Sequence, residues 1–207
     1  MALADRLRLM VLTDAQLLKG RDPVDACRRA VRGGATAVEV RLKEAQPREV
    51  LALARALVGA LSVPVLVNDR VDLALAAGAA GAHLGHEDVP LAAVKPHVPP
   101  GFLLGISVGS PVEAARVQGW PADYWSVGPC FATGHKPDAG PPLGPTGFAA
   151  LARLAPRGVP VIGVGGITAA NADAVRRAGA AGIAVVGAIW DASDPEAAAR
   201  ALRSASA

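Results

Sequence analysis

The stretch PVLVNDRVDLALAAGAAGAHLGHED, residues 64–88, holds two apolar runs that each stop at acid. The first, VLVN, is followed by Asp69, and the second, AHLG, leads through His86 to Glu87 and Asp88. Between them VDLALAAG has helical spacing. Gly-Ala punctuation then returns the chain to extended structure, because glycine takes the left-handed conformation that closes a helix. Runs that are apolar throughout, without alternation, suit strands covered on both faces, as parallel strands are. A strand, a helix and a second parallel strand bring both strand ends to one side of a sheet, and the acids with them.

Working outward, the same unit recurs. Further apolar, β-rich runs occupy residues 9–13, 37–42, 102–108, 124–128, 159–166 and 182–189, joining those at 63–68 and 82–85. Segments of helical spacing alternate with them, several behind a helix-start signature: Asp22-Pro23, Asp194-Pro195, and Asn171 ahead of an apolar run. The joint chemistry also repeats, as RGGATAVEV, AAGAAGAHLG and RAGAAGIAVVG. Its intervals are unequal, which argues for repeated βα units and against a solenoid. Eight strands alternating with helices predict one (β/α)8 TIM barrel over residues 1–207, of the α/β class, with its chemistry at the C-terminal rim. A doubly wound open sheet is the competing arrangement. It is disfavoured because no GxGxxG opens a first helix and because eight units is the closing number.

Composition narrows the function classes. Of 207 residues 52% are hydrophobic and 19% charged, so the chain is expected to be globular. Aromatics at 3% and a net charge of +3 argue against a nucleic-acid partner. Cys27 and Cys130 are isolated in sequence, which suits a reducing compartment. No apolar run reaches the roughly 18 residues of a membrane span, and Asp5, Arg6 and Arg8 interrupt any N-terminal signal. A soluble, cytoplasmic protein is the expectation, with no membrane partner.

The rim residues carry the chemistry. In EVRLKE, period two sets Glu39, Arg41 and Lys43 on one side of the second strand. Facing the barrel mouth, Arg41 and Lys43 would suit a phosphate or pyrophosphate; facing outward, they would be a charged strand end. Asn68-Asp69 and Glu87-Asp88 would suit a hard cation such as Mg²⁺, which often takes one or two protein carboxylates. Alternatively, Asp69 and Asp88 cap the helices that follow. Ser107 ends the fifth strand within reach of a ligand. After the sixth strand, GPCFATGHKPDAGPPLGPTG reads as a Gly/Pro-rich flap around residues 132–146, with Thr133, His135 and Lys136 near its base. Gly165, Gly166, Val186 and Gly187 follow the seventh and eighth strands, where such barrels commonly form a backbone phosphate cup. Two anion sites and a metal suggest two phosphorylated small-molecule substrates.

Taken in order, GGATAVEVRLKE, VPVLVNDRVDLALAAGAAGAHLGHED, GISVGS, ADYWSVGPCFATGHK and GVGGI resemble the thiamine phosphate synthases and their paralogues, the thiazole tautomerases. The likeness spans nearly the whole chain and is nearer to the synthases. It implies a transferase that joins hydroxymethylpyrimidine diphosphate to hydroxyethylthiazole phosphate, giving thiamine phosphate and pyrophosphate. By resemblance Arg41, Lys43, Asn68 and Lys136 would hold the pyrophosphate, Asp69 and Asp88 would hold Mg²⁺, and Ser107 would lie near the pyrimidine. Thr133, Gly166, Val186 and Gly187 would hold the thiazole phosphate. The chain departs from the family at Glu39 (usually Gln), His86 (Gln), His135 (Thr) and Gly187 (Ser). Glu39 would weaken binding unless it is protonated or paired with Arg41 or Lys43. A tautomerase-like isomerase and a non-catalytic thiamine-phosphate binder are the alternatives, and a homo-oligomer is left open.

Overall fold

The computed structural model describes residues 2–14, 20–134 and 140–205. Eight strands form a closed, all-parallel barrel in chain order: β1 (Leu9–Leu12), β2 (Ala37–Val40), β3 (Val65–Asn68), β4 (Gly81–Leu84), β5 (Leu103–Val108), β6 (Tyr124–Val127), β7 (Val161–Val164) and β8 (Gly182–Val185). Closure is made by β1 on β8, with Leu9 opposite Ile183 and Val11 opposite Val185. Every strand expected from the apolar runs is present, and the open sheet is excluded.

Around the barrel run α2 (Pro23–Arg32), α3 (Pro47–Ala60), α4 (Val71–Ala77), α5 (Leu91–Val94), α6 (Pro111–Arg116), α7 (Gly144–Ala152), α8 (Ala172–Arg177) and α10 (Pro195–Ala205). Two start signals act as read. Asp22 accepts from the Val24 N–H at 2.9 Å, and Asp194 accepts from the Glu196 N–H at 2.9 Å, which satisfies donors that a helix leaves open at its first turn. The third does not. Asn171 stands at the N-cap of α8, but its side chain makes no cap bond. At the repeated joints Gly34, Gly78 and Gly179 take φ of 111°, 69° and 102°, the left-handed region that glycine alone enters freely.

Strand ends are where reading and structure differ. The eighth run stops at Val185 instead of continuing to 189, and Gly187–Trp190 coil into a one-turn helix, α9. That turn buries Trp190, whose indole N–H donates to the Leu12 carbonyl at 2.6 Å. The second strand ends at Val40, so Arg41 and Lys43 stand in the following loop. The Gly/Pro-rich segment is shorter than its composition suggested, because residues 144–147 form the first turn of α7, with Pro145 near its start. A further one-turn helix, α1 (Leu3–Arg6), precedes β1, and Leu7 after it packs into the barrel interior. Among the described residues no helix is long and apolar enough to cross a membrane.

Period two governs the inner wall. Ala37, Leu66, Leu103 and Tyr124 meet in an apolar interior cluster, and two residues further along their strands come Glu39, Asn68, Gly105 and Ser126. The wall therefore turns from apolar to polar toward the C-terminal rim.

Candidate active site

At that rim lies a cavity of about 670 Å³, within the range of small-ligand pockets. Along one side it is lined by Glu39, Arg41, Lys43, Asn68, Asp69 and Asp88. Ser107 and Thr133 reach it from β5 and the β6 loop, and Gly165, Gly166, Val186 and Gly187 close the other side. His135 and Lys136 lie outside the described residues.

The basic side is held by its own loops. The Thr13 hydroxyl accepts from the Arg41 backbone N–H at 2.9 Å, and the Arg41 guanidinium sits 3.7 Å from Asp14, both side chains largely buried. Glu39 is deeper, only 2% exposed, and its Oε1 has no hydrogen-bond partner among the described residues. Burial pushes its carboxyl up to about 8; Arg41 opposes the rise and Asp69 adds to it. Burial thus favours the protonated acid at neutral pH, which is close in shape to a glutamine amide.

Asp69 and Asp88 meet side chain to side chain. Burial raises the Asp69 carboxyl above the usual carboxylate range; a hydrogen bond to Asp88 and its charge raise it further, while Lys43 and Arg41 act against this. Neither acid caps a helix: α4 and α5 have Arg70 and Pro90 at their N-caps, without side-chain bonds. Asp88 instead accepts from the Gly85 N–H at 2.6 Å, and Asp69 holds a left-handed φ of 60°, which is uncommon for any residue but glycine. Two crowded carboxylates with basic neighbours are a donor set that a hard divalent cation would relieve, and it fits Mg²⁺. Glu87 contributes less, its side chain being 84% exposed. His86 faces Glu113 at 3.3 Å, and Glu113 also accepts from the Gly109 N–H at 2.8 Å.

Opposite, the chain after β6 runs beside the end of β7. The Cys130 N–H donates to Val164 O at 2.7 Å and the Phe131 N–H to Gly165 O at 3.0 Å. Gly165 and Gly166 have φ of 90° and 63°, and a Cβ on either would come within 2.7 Å of Pro129 or Phe131. Only glycine lets this turn lie so close. Gly187 opens α9, in which the Ile189 and Trp190 N–H groups donate to Val186 O at 3.0 and 3.2 Å. The buried Cys130 thiol is pushed up to about 12, so it is no nucleophile here.

Residues 9–189 match the family model described as thiamine monophosphate synthase. This chain belongs to that family. It is 46% identical over 195 residues to the thiamine-phosphate synthase of Roseiflexus castenholzii, covering 93% of this chain and 85% of the relative. With the thiamine-phosphate synthase of Methanoculleus marisnigri it shares 45% over 202 residues, 94% of this chain and 93% of that one. Among solved structures, thiamine phosphate pyrophosphorylase from Pyrococcus furiosus superposes with a TM-score of 0.87 at 35% identity, covering 99% and 98% of the two chains. A 3-hexulose-6-phosphate synthase at 21% identity and a TM-score of 0.73 shares the barrel alone.

In this member of the thiamine monophosphate synthase family, a buried chain of polar groups went unread in the sequence. His83 places Nδ1 2.9 Å from the Tyr124 hydroxyl and Nε2 2.9 Å from Ser107 Oγ. The two contacts tie His83 between Tyr124 and Ser107 and hold the Ser107 side chain at the edge of the cavity it lines. The signal was there: His83 lies in the inward phase of AHLG. Within an apolar run, however, a histidine reads as core. Gly105 makes room for the pair, since a Cβ there would strike both the Tyr124 ring and His83. Gly105→Ala is expected to cost about 1–3 kcal/mol of stability, measured by urea denaturation.

Proposed function

We propose that this chain joins hydroxymethylpyrimidine diphosphate to hydroxyethylthiazole phosphate, giving thiamine phosphate and releasing pyrophosphate. The observation that carries the reading is one cavity with a basic and acidic rim on one side and a glycine turn backed by a helix start on the other. Such a cavity can hold two phosphorylated molecules with their reacting atoms between.

On this reading Arg41, Lys43 and Asn68 bind the diphosphate together with Lys136, and His135 is a further substrate contact; the last two lie outside the described residues. Asp69 and Asp88 would hold Mg²⁺, which, when bound, supplies positive charge against the leaving diphosphate. Ser107, held by His83, reaches the bridging region as a hydrogen-bond donor. Glu39 lies below Arg41 as a neutral acid, so it does not repel the diphosphate at neutral pH. Thr133 and the backbone N–H groups of Gly165, Gly166 and Gly187 bind the thiazole phosphate beside Val186. The C–O bond to pyrophosphate breaks with its electron pair on oxygen, the aminopyrimidine stabilises the methylene cation, and the thiazole nitrogen attacks it. The protein supplies position and fixed charge, and needs no strong base. Both thiols are free and buried, which suits work in a reducing cytoplasm.

A tautomerase would need a histidine at the position that Pro129 fills, and it would have no diphosphate for Arg41 and Lys43 to bind. The test is thiamine phosphate formation from the two purified substrates, with Mg²⁺ and with chelator. Metal-dependent product is expected. Binding of thiamine phosphate without any turnover would instead make the chain a binder.

A further inference from the structure

Three successive carbonyls behind the glycine turn are tied off from outside the cavity. Val164 O accepts from the Cys130 N–H at 2.7 Å and Gly165 O from the Phe131 N–H at 3.0 Å. Gly166 O accepts from the Asn171 side-chain amide, Nδ2, at 3.0 Å. A peptide bond is planar and trans, so its N–H points opposite its C=O. Fixing these three carbonyls therefore fixes the direction of the Gly165, Gly166 and Ile167 N–H groups, and all three residues line the cavity. The first two peptides are held by backbone donors, which no ordinary substitution can remove. The third follows a glycine at φ 63°, a residue with unusual freedom to rotate, and its tie is a side chain.

Asn171 is arranged for this duty and not for helix capping. Its Oδ1 accepts from the Thr168 N–H at 2.8 Å while Nδ2 reaches Gly166 O, so one amide spans the turn. It forgoes the cap bond at α8, which is ordinarily worth about 1 kcal/mol. We propose that Asn171 is a positioning residue that sets affinity for the phosphate of the thiazole substrate by holding the Gly166 carbonyl away from the anion. The inference rests on the reading of this turn as the thiazole phosphate site.

The test uses Asn171→Ala, which loses both bonds, and Asn171→Asp, which keeps the acceptor for Thr168 but loses the donor to Gly166. Both are expected to raise KM for the thiazole phosphate about tenfold, the worth of roughly one hydrogen bond. KM for the diphosphate should stay within twofold. A merely structural role would move both KM values together or lower only the folded fraction, seen by thermal denaturation, and either result overturns the proposal. Parent-like KM in Asn171→Asp overturns it too. Backbone amide NMR on the parent separates this failure from that of the underlying reading. The Gly165, Gly166 and Ile167 signals should shift with the thiazole phosphate and not with the unphosphorylated alcohol. If they fail to shift, the phosphate site lies elsewhere and the proposal falls with it. If they shift while both variants keep parental KM, only the role of Asn171 is overturned.

Discussion

Asp69→Asn is expected to fold at least as firmly as the parent and to form thiamine phosphate on the order of 10³-fold more slowly. The two effects have opposite signs for one reason. Without a cation, the Asp69 carboxyl is raised by burial and by Asp88 pressed against it. A raised carboxyl pKa means the folded state holds its proton longer than the unfolded state. The pair thus costs stability that grows as pH climbs above the ordinary carboxylate range. An amide removes that cost at neutral pH and keeps the shape. It also tolerates the left-handed φ of 60°, where Asn is among the few non-glycine residues at ease. On the proposed metal site turnover suffers because one of two anionic oxygen donors is gone. In chelator, the melting temperature of Asp69→Asn should equal or exceed the parent's. With Mg²⁺ and pyrophosphate together the parent should gain stability through binding, and the variant should gain little. Turnover within tenfold of the parent would sink the metal assignment.

The loss of turnover follows from the sequence reading of Asp69, but the gain in stability does not, because it needs the contact with Asp88. The barrel was legible there because parallel strands covered on both faces must be apolar throughout, and the runs at 63–68 and 82–85 are. Strand ends were less legible. Residues 186–189 are as β-prone as those before them, and only the burial of Trp190 against Leu12 O explains the turn into α9. Glu39, Arg41 and Lys43 all line the cavity, although two of them stand in a loop where the strand period that suggested a shared side does not apply. Whether Asp69 and Asp88 cap helices or face each other is a question of side-chain direction, which sequence leaves open. His83 and Asn171 were opaque for the same reason. Each acts through partners contributed by other segments, Tyr124 and Ser107 for one and the Gly166–Thr168 turn for the other. Asn171 also carried a misleading signal, since a helix start explained it fully.

Glu39→Gln is expected to gain stability over the parent by an amount that depends on pH. Burial lifts the Glu39 carboxyl from an ordinary 4.5 to about 8. Below pH 4.5 it is protonated in both folded and unfolded chains and contributes no pH dependence. Between 4.5 and about 8 the unfolded chain releases the proton and the folded chain keeps it. Parental stability therefore falls by up to ~1.4 kcal/mol per pH unit from this group. Above about 8 both states are ionised and the cost is constant. Glutamine does not titrate, so the variant's advantage should widen from pH 5 to 8 and then level off, as measured by urea denaturation in chelator. Binding follows the same logic. The sequence suggested that Glu39 weakens the diphosphate site unless neutralised, and burial, which pushes its carboxyl up to about 8, favours the neutral form at pH 7. Affinity of the two proteins for the diphosphate should be similar there. Above pH 8 the parent alone should weaken, as an anion appears beneath Arg41. A stability difference that stayed flat from pH 5 to 9 would mean Glu39 is ionised throughout and paired with Arg41, and the buried-acid account would be wrong.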